Sequence, residues 1–174
     1  MNYEKVYLNL ITVISWIIEI FMWFSIAVCT LMAGSFVFLL VKMPDVIREI
    51  AKEPGLRQYS SQFWHILPSF MIIGLIAVIF FNLGIHNVRH LIKNIKQEVY
   101  FDQANLHELK QLLIRSIVYT VLSIISWAII LPMDSTPFYP NAYIADLVFI
   151  AIVYVVYLIF KHGLALRDDT NKII

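Results

Sequence analysis

Three histidines are the residues of this sequence whose spacing comes nearest to that of a metal site. His86 and His90 are four residues apart, which places both imidazoles on one face of a helix, a spacing that can chelate a metal ion. His107, on the following segment, is a third candidate ligand, offset by about one helical turn. Position 87 is Asn, so the H-E-x-x-H motif is absent. We therefore expect no metal site and no cofactor.

Nucleophiles, bases and glycines do not combine into a recognisable active site. The sequence has no nucleophile–base constellation, no glycine-rich phosphate loop, no GxSxG segment and no paired carboxylates within an apolar run. We expect a protein that is not an enzyme.

The composition is typical of an integral membrane protein. Residues of the types AVILMFWYC make up 60% of the 174 residues, and charged residues make up only 14%, against about 25% in soluble proteins. The mean hydropathy is +0.78. A formal net charge of +1 creates no field that would attract nucleic acid directly. The single cysteine, Cys29, excludes an internal disulfide.

Four apolar runs are long enough to cross a membrane, which takes about 20 residues per helix. They lie near 17–41, 64–85, 112–131 and 143–160. The apolar stretch that contains the first of these begins earlier, at Val6, and ends at Val41. As one helix this stretch would be about 54 Å long, more than the hydrocarbon thickness of a bilayer. No Pro or Gly cluster marks a turn inside it. We expect one span there, preceded by a retained helix that lies in or rises from the inner interface and is not a signal peptide.

The connections differ in character. Segment 42–63 is predicted to be an outer loop with a short helix, because Pro44 suits a first helical position and Pro54-Gly55 ends the pattern. The apolar face of this helix consists of Val46, Ile47 and Ile50. Residues 132–142, which contain three prolines, are predicted to form a turn-rich loop.

Lysine and arginine residues indicate the orientation in the membrane. With both termini inside, nine lie in inner segments: Lys5, Arg89, Lys93, Lys96, Lys110, Arg115, Lys161, Arg167 and Lys172. Four lie outside: Lys42, Arg48, Lys52 and Arg57. We therefore expect cytoplasmic N- and C-termini. An aromatic belt at the outer interface would then consist of Trp64, Trp127, Phe138, Tyr139 and Tyr143.

Residues 86–111 are polar and mildly basic, although they separate two apolar runs. Apolar residues recur there at helical spacing, so the second span should continue as a helix to about Gln97–Glu98. Asp102 is the predicted N-cap of the next helix, with Phe101 packed on Leu106 as a hydrophobic staple.

The expected fold is an all-α, integral membrane four-helix bundle. A cytoplasmic helical hairpin at 86–111 extends it between spans two and three, and 161–174 form a cytoplasmic tail. The charges of the hairpin are either simply solvated, with its apolar stripes packed on each other, or form a docking surface for a cytoplasmic partner.

Three polar residues, Glu19, Asn82 and Asp146, belong to the apolar runs. A carboxylate in lipid is costly, so Glu19 either reaches water at the inner interface or has a pairing or sensing role. Asp146 lies about one turn into its helix, where the dipole favours negative charge. A ligand or ion contact is the alternative. Asn82 is grouped with small and hydroxyl residues that allow close helix packing: Ser25, Cys29, Ala33, Ser116, Thr120 and Ser123. They pack within the bundle or, alternatively, form a homodimer face or a lipid pocket.

Two segments resemble a bacterial family. "FDQANLHELKQL", with Phe101, Asn105 and Leu109, resembles the family's segment after the second span. "FKHGLALRDDTNKII" resembles its closing pattern, with matching positions Phe160, Lys161, Gly163, Leu166, Asp168, Asp169, Ile173 and Ile174. This is the four-span family known as domain of unknown function 2975, and the shared layout covers nearly the whole chain. The family has no established enzyme activity. Its members are often encoded beside a small helix-turn-helix regulator.

The resemblance implies a bacterial inner-membrane protein that binds or sequesters a cytoplasmic, DNA-binding regulator. The expected contact residues are Arg89, Lys93, Lys96, Asp102, Asn105, Glu108, Lys110, Lys161, Arg167 and Asp168. A small transport or permeation subunit, or an immunity protein against a membrane-active peptide, is the alternative.

Overall fold

The chain is helical throughout the part that the structure describes. The computed structural model describes residues 3–50, 52, 61–97, 99–130 and 141–173, which contain five helices and no strand. These are α1 (Tyr3–Lys42), α2 (Pro44–Ile50), α3 (Ser61–Lys96), α4 (Gln103–Ile130) and α5 (Asn141–Ile173). The all-α prediction is confirmed for these residues.

Four of the five helices are long and apolar enough to cross a membrane. Their apolar stretches are Val6–Lys42, Ile66–Lys96, Gln103–Ile129 and Tyr143–Thr170. They suggest a multi-pass membrane protein, as the composition predicts. The four predicted apolar runs fall in α1, α3, α4 and α5, with residue 131 outside the described residues.

Helix α1 continues without a break from the predicted interfacial segment into the predicted span. It has 40 residues and is therefore about 60 Å long. Two of its polar side chains bond back to their own helix: Thr12 Oγ1 donates to the Leu8 carbonyl and Thr30 Oγ1 to the Ile26 carbonyl, each at 2.7 Å. Because these hydroxyls find partners within the helix, they do not force a turn.

Helix α2 confirms the short helix predicted after the first span. It begins at Pro44, with Asp45 in the first turn and Ile47 buried. Proline suits this position because its missing N–H would have no partner there. Pro54-Gly55, the predicted end signal, lies outside the described residues.

The long helices alternate in direction and pack in the order α1, α3, α4, α5. Helix α3 contacts α1 and α4, and α4 contacts α5. Among the described residues, the backbone of α1 does not approach that of α4 or α5. Helices α1 and α5 are therefore the two edges of a row, and side chains from α3, α4 and α5 share one core cluster around Leu109, Leu112 and Val153.

The edge helices expose large apolar side chains along their length. On α1 these include Phe21, Phe24 and Leu31, and on α5 Leu147 and Ile152. The small-residue stripe of α1 does not face one neighbour, since Ala33 is buried while Cys29 is exposed. Helices that are apolar on nearly all sides are typical of membrane proteins.

The turn between α3 and α4 has the predicted N-cap. Helix α3 ends at Lys96, within two residues of the predicted end. The Asp102 carbonyl accepts the first helical bond, from Leu106 N–H at 3.1 Å, and its Oδ1 accepts from Gln103 N–H at 2.6 Å. Asp102 therefore caps α4.

Phe101, beside this cap, packs against α5. Its ring centroid lies 5.3 Å from that of Phe160, and its ring also covers Gly163. The staple with Leu106 stays a prediction. The segment predicted as a tail is helical to Ile173, because α5 continues past the predicted end of its span.

Replacing Gly163 by alanine should loosen the contact between α5 and the α3–α4 turn. A Cβ at Gly163 would overlap the Phe101 ring, so we expect Gly163→Ala to destabilise the protein by about 1–3 kcal/mol. The measurement is thermal unfolding of the purified protein in detergent.

Gly74→Ala is the matched control, because a Cβ at Gly74 meets no atom within 4 Å. It should leave the unfolding temperature unchanged or raise it slightly, since alanine is the better helix former. Equal effects of the two substitutions would contradict the close approach of Phe101.

Candidate functional site

Polar side chains collect at one end of the row of helices. This end, hereafter the polar end, comprises Thr12–Glu19 of α1, His86–Lys96 of α3, Asn105–Arg115 of α4 and the Phe101–Arg167 contact with α5. These segments meet because consecutive long helices run in opposite directions. Most of the residues predicted to contact a partner lie here.

Glu19 forms an ion pair between α1 and α3. Its Oε2 lies 2.5 Å from Arg89 Nη1, and its Oε1 lies 3.2 Å from His86 Nδ1. The Arg89 guanidinium also lies 4.5 Å from the centre of the Trp16 ring. With side chains only 12% and 16% exposed, Glu19 and Arg89 are mostly enclosed. The structure thus pairs Glu19 with Arg89, while the position of Glu19 relative to the membrane interface stays a prediction.

His86 takes part in this pair in one of two ways. Arg89 Nη2 lies 3.2 Å from the same Nδ1 that faces Glu19. A guanidinium can only donate, so Nδ1 either accepts from Arg89 or carries a proton and donates to Glu19. In both cases the Arg89 guanidinium stays at ion-pair distance from Glu19 Oε2.

Asn87 joins α3 to α4 through both ends of its amide. Its Nδ2 donates to Glu108 Oε2, and its Oδ1 accepts from Arg115 Nη1. Arg115 Nη1 also donates to the Leu83 carbonyl at 2.7 Å, and Glu108 Oε1 lies 3.6 Å from His90 Nδ1. An amide has a donor and an acceptor, so Asn87 can bridge an anion and a cation. Glu108 and Arg115 are thus connected inside the molecule.

Asn105 holds the turn between the same two helices. Its Nδ2 donates to the carbonyls of Val99 and Tyr100, each at 2.7 Å, and its Oδ1 accepts from Asn94 Nδ2 at 2.6 Å. Its side chain is 0% exposed. In this arrangement Asn105, one of the predicted contact residues, fastens the hairpin from within and has no surface to offer a partner.

A basic groove lies between α1 and α3 at the polar end. It has a volume of about 250 Å³ and is lined by Thr12, Trp16, Arg89, His90, Lys93 and Lys96. Lys96 Nζ donates to Thr12 Oγ1 at 2.5 Å. Lys93 is exposed and has no ion pair or hydrogen bond in the described part of the chain. Because Glu19 already neutralises Arg89, the two lysines supply positive charge that an anion could meet.

The other predicted contact residues lie outside this groove. Lys110 and Lys161 are exposed. Arg167 Nη1 donates to the Phe101 carbonyl at 2.5 Å, and its Nη2 lies 3.2 Å from Asp168. Arg167 therefore ties the end of α5 to the α3–α4 turn. Of the ten predicted residues, the structure brings Arg89, Lys93 and Lys96 together in one groove.

Asn82 and Asp146 have different surroundings within the apolar part of the helices. Asn82 is 1% exposed, and neither amide atom has a hydrogen-bond partner in the described part of the chain. Helix α5 begins at Asn141 and has no acidic residue in its first turn. Asp146 is the sixth residue of α5, between one and two turns into the helix, and it lines a cleft with α3 and α4. The dipole explanation for its charge stays a prediction.

The histidines do not assemble a set of three metal ligands in the described part of the chain. The rings of His86 and His90 contact each other at a tilt of 41°, with centroids 4.5 Å apart, while His107 is exposed on α4. In this arrangement His86 faces Glu19 and His90 faces Glu108.

Sequence reasoning missed the roles of Asn87, Asn94 and Arg115. The signal for Asn87 was present: it lies four residues from both Leu83 and Leu91 and so interrupts an apolar helix face. A polar residue on such a face needs a partner, but the sequence alone does not indicate which one.

No family model, curated protein or solved structure matches the chain. The geometry of the polar end is therefore the main guide to function.

Replacing Glu19 by glutamine should destabilise the protein. The substitution leaves the mostly enclosed Arg89 without a counter-ion, a change that costs about 3–5 kcal/mol for fully buried pairs and less for this partly exposed one. Thermal unfolding in detergent measures the effect. Glu49→Gln on the exposed face of α2 is the control and should change little. The double variant Glu19→Gln/Arg89→Gln should recover part of the loss, and equal stability of Glu19→Gln and wild type would contradict the pair.

Replacing Asn105 by aspartate should open the α3–α4 turn. Aspartate has the same shape but removes two donors and places negative charge against the carbonyls of Val99 and Tyr100. We expect a loss of at least about 2 kcal/mol, because each buried group left without a partner costs about 1–3 kcal/mol. Faster amide hydrogen exchange at 99–103 reports the opening. The exposed Asn9→Asp serves as the control, and unchanged exchange in Asn105→Asp would refute the role of this side chain.

Proposed function

We propose that the protein crosses a bacterial inner membrane four times, with both termini and the polar end in the cytoplasm. The positive charge of the polar end supports this orientation, and the length of the helices supports its contact with water. The polar end contains Arg89, Lys93, Lys96 and Arg115, and cytoplasmic segments are enriched in such residues. The long helices also exceed the roughly 30 Å of hydrocarbon in a bilayer, so their ends must extend into water.

We further propose a regulatory rather than catalytic role for the protein: it binds an acidic segment of a cytoplasmic protein in the basic groove. The observation that carries this proposal is Lys93, an exposed cation without a partner in the described part of the chain, next to Lys96 and Trp16 in one groove. Carboxylates of a partner would meet the ammonium groups, and its apolar side chains would meet the indole ring. Charge-assisted hydrogen bonds of this kind are stronger than neutral ones.

The groove is preorganised for such a partner. One wall is fixed by the Glu19–Arg89 pair and by the bond from Lys96 to Thr12. The other belongs to the hairpin, which Asn87 and Asn105 hold from inside. A partner then orders few protein side chains on binding, which lowers the entropic cost of association.

The resemblance to the four-span family is the reason for proposing a DNA-binding partner. A helix-turn-helix regulator held in the groove would be kept away from its operator. Release requires a signal that favours one arrangement of the helices over another, because a ligand shifts an equilibrium only by its differential affinity.

Charge reversal in the groove should abolish partner binding. With an aromatic photo-crosslinking amino acid in place of Trp16, an exposed aromatic residue of the groove wall, we expect a crosslink to a cytoplasmic DNA-binding protein. The double variant Lys93→Glu/Lys96→Glu should reduce its yield by about tenfold or more, which corresponds to about 1.4 kcal/mol. The yield is measured by immunoblot after illumination of intact cells.

The matched control is Lys110→Glu/Lys161→Glu, which changes the net charge equally but lies outside the groove. It should leave the crosslink intact. Crosslinks to lipid alone, or equal losses in the two double variants, would overturn the proposed docking site.

A further inference from the structure

A cleft between α3, α4 and α5 has walls that differ from those of the basic groove. Its volume is about 250 Å³, and its lining includes the aromatic rings of Phe80, Phe81, Tyr119 and Phe149. One carboxylate, that of Asp146, lies in the same lining. Phe81 and Phe149 are exposed, so the cleft opens at the surface of the helices.

Asp146 has no counter-ion in the described part of the chain. No hydrogen bond or ion pair joins it to another residue there, whereas Glu19 pairs with Arg89, Glu108 accepts from Asn87, and Asp168 pairs with Arg167. The lining is otherwise uncharged, made of apolar side chains and the hydroxyls of Ser116, Tyr119 and Thr120. A carboxylate in such surroundings is costly without a partner. In a membrane segment it usually marks a functional site.

The aromatic side chains around Asp146 are suited to a cation. The rings of Phe81 and Tyr119 lie 5.2 Å apart at a tilt of 46°. The face of an aromatic ring attracts a positive charge, and the attraction strengthens where water is excluded. A carboxylate together with several rings is the combination that recognises quaternary ammonium groups and amines.

Gly84 contributes space to the same cleft. A Cβ at this position would lie 3.5 Å from Leu112 Cδ1, at ordinary contact distance. A side chain at this position would therefore fit without a clash, and the glycine leaves that space to the cleft that it lines.

We propose that this cleft binds a hydrophobic monocation, a quaternary ammonium or amine with an apolar body. The single carboxylate matches one positive charge, and the aromatic walls match the apolar body. A hard metal ion is a poor fit, because calcium takes six to eight oxygen ligands and magnesium about six. The site lies apart from the basic groove and has the opposite charge preference, so it goes beyond the proposed docking function.

A ligand in this cleft would touch three helices at once. Helix α3 lines the cleft with Phe80 and Phe81 and the basic groove with Arg89 and Lys93. Binding that favours one packing of α3 against α4 would therefore also act on the groove. A signal molecule that binds in the cleft could thus change the basic groove through α3.

The test measures binding of phenylpropyl-trimethylammonium to the purified full chain in a neutral detergent, by calorimetry. The reference ligand is its uncharged analogue, in which tert-butyl replaces trimethylammonium. We expect the wild type to bind the cation saturably and about tenfold more tightly than the analogue. In Asp146→Asn this preference should disappear. The control Asp45→Asn, on an exposed carboxylate of α2, should keep it.

A second variant tests the aromatic wall without changing the charge. Phe149→Leu alters an exposed side chain and should fold. It should weaken cation binding several-fold and analogue binding less. The proposal is overturned if the wild type shows no saturable binding, if Asp146→Asn keeps its preference for the cation, or if Asp45→Asn loses that preference equally. These results are independent of the crosslinking at the groove, so either proposal can fail alone.

Discussion

The ion pair between Glu19 and Arg89 is the interaction on which the arrangement of the helices depends. Helix α1 contacts only α3 among the long helices of the described chain, and both helices are apolar over most of their length. In lipid, such surfaces gain little from contacting each other, because the acyl chains are equally apolar. Polar contacts then decide where a helix docks. Glu19–Arg89 and Thr12–Lys96 supply them at one end of α1, and the basic groove exists because these contacts hold α1 against α3.

The same principle explains the polar segment between the second and third apolar runs. Asn87 and Asn105 are enclosed and use both ends of their amides in internal hydrogen bonds. They therefore hold the two arms of the helical hairpin together and are not part of its exposed surface. Asn105, Leu109 and Phe101, which suggest the family resemblance, all face the interior or α5. A hairpin packed on its own apolar stripes and a docking surface for a partner are therefore compatible interpretations of this segment. Its internal residues hold the hairpin together, and its lysines remain outside.

Two carboxylates in similar apolar sequence surroundings end up in opposite situations. Glu19 meets a guanidinium from another helix, while Asp146 meets aromatic rings and a cleft. A paired charge is stabilised by its partner and serves the fold. A charge without a partner costs free energy, and a cationic ligand that supplies the missing charge would lower this cost. This difference makes the cleft a stronger candidate for small-molecule binding than the Glu19 pair.

The sequence by itself determined the features that depend on neighbours along the chain. Four apolar runs, the start of α2 at Pro44 and the cap at Asp102 follow from the properties of a few adjacent residues. The tertiary structure decided which distant residues meet. The pairing of Glu19 with Arg89, the bridge at Asn87 and the position of Asp146 in a cleft depend on how far one helix is shifted along and rotated against the next. Apolar surfaces tolerate many such shifts, so composition and periodicity cannot select one. Only the assembled set of polar contacts does.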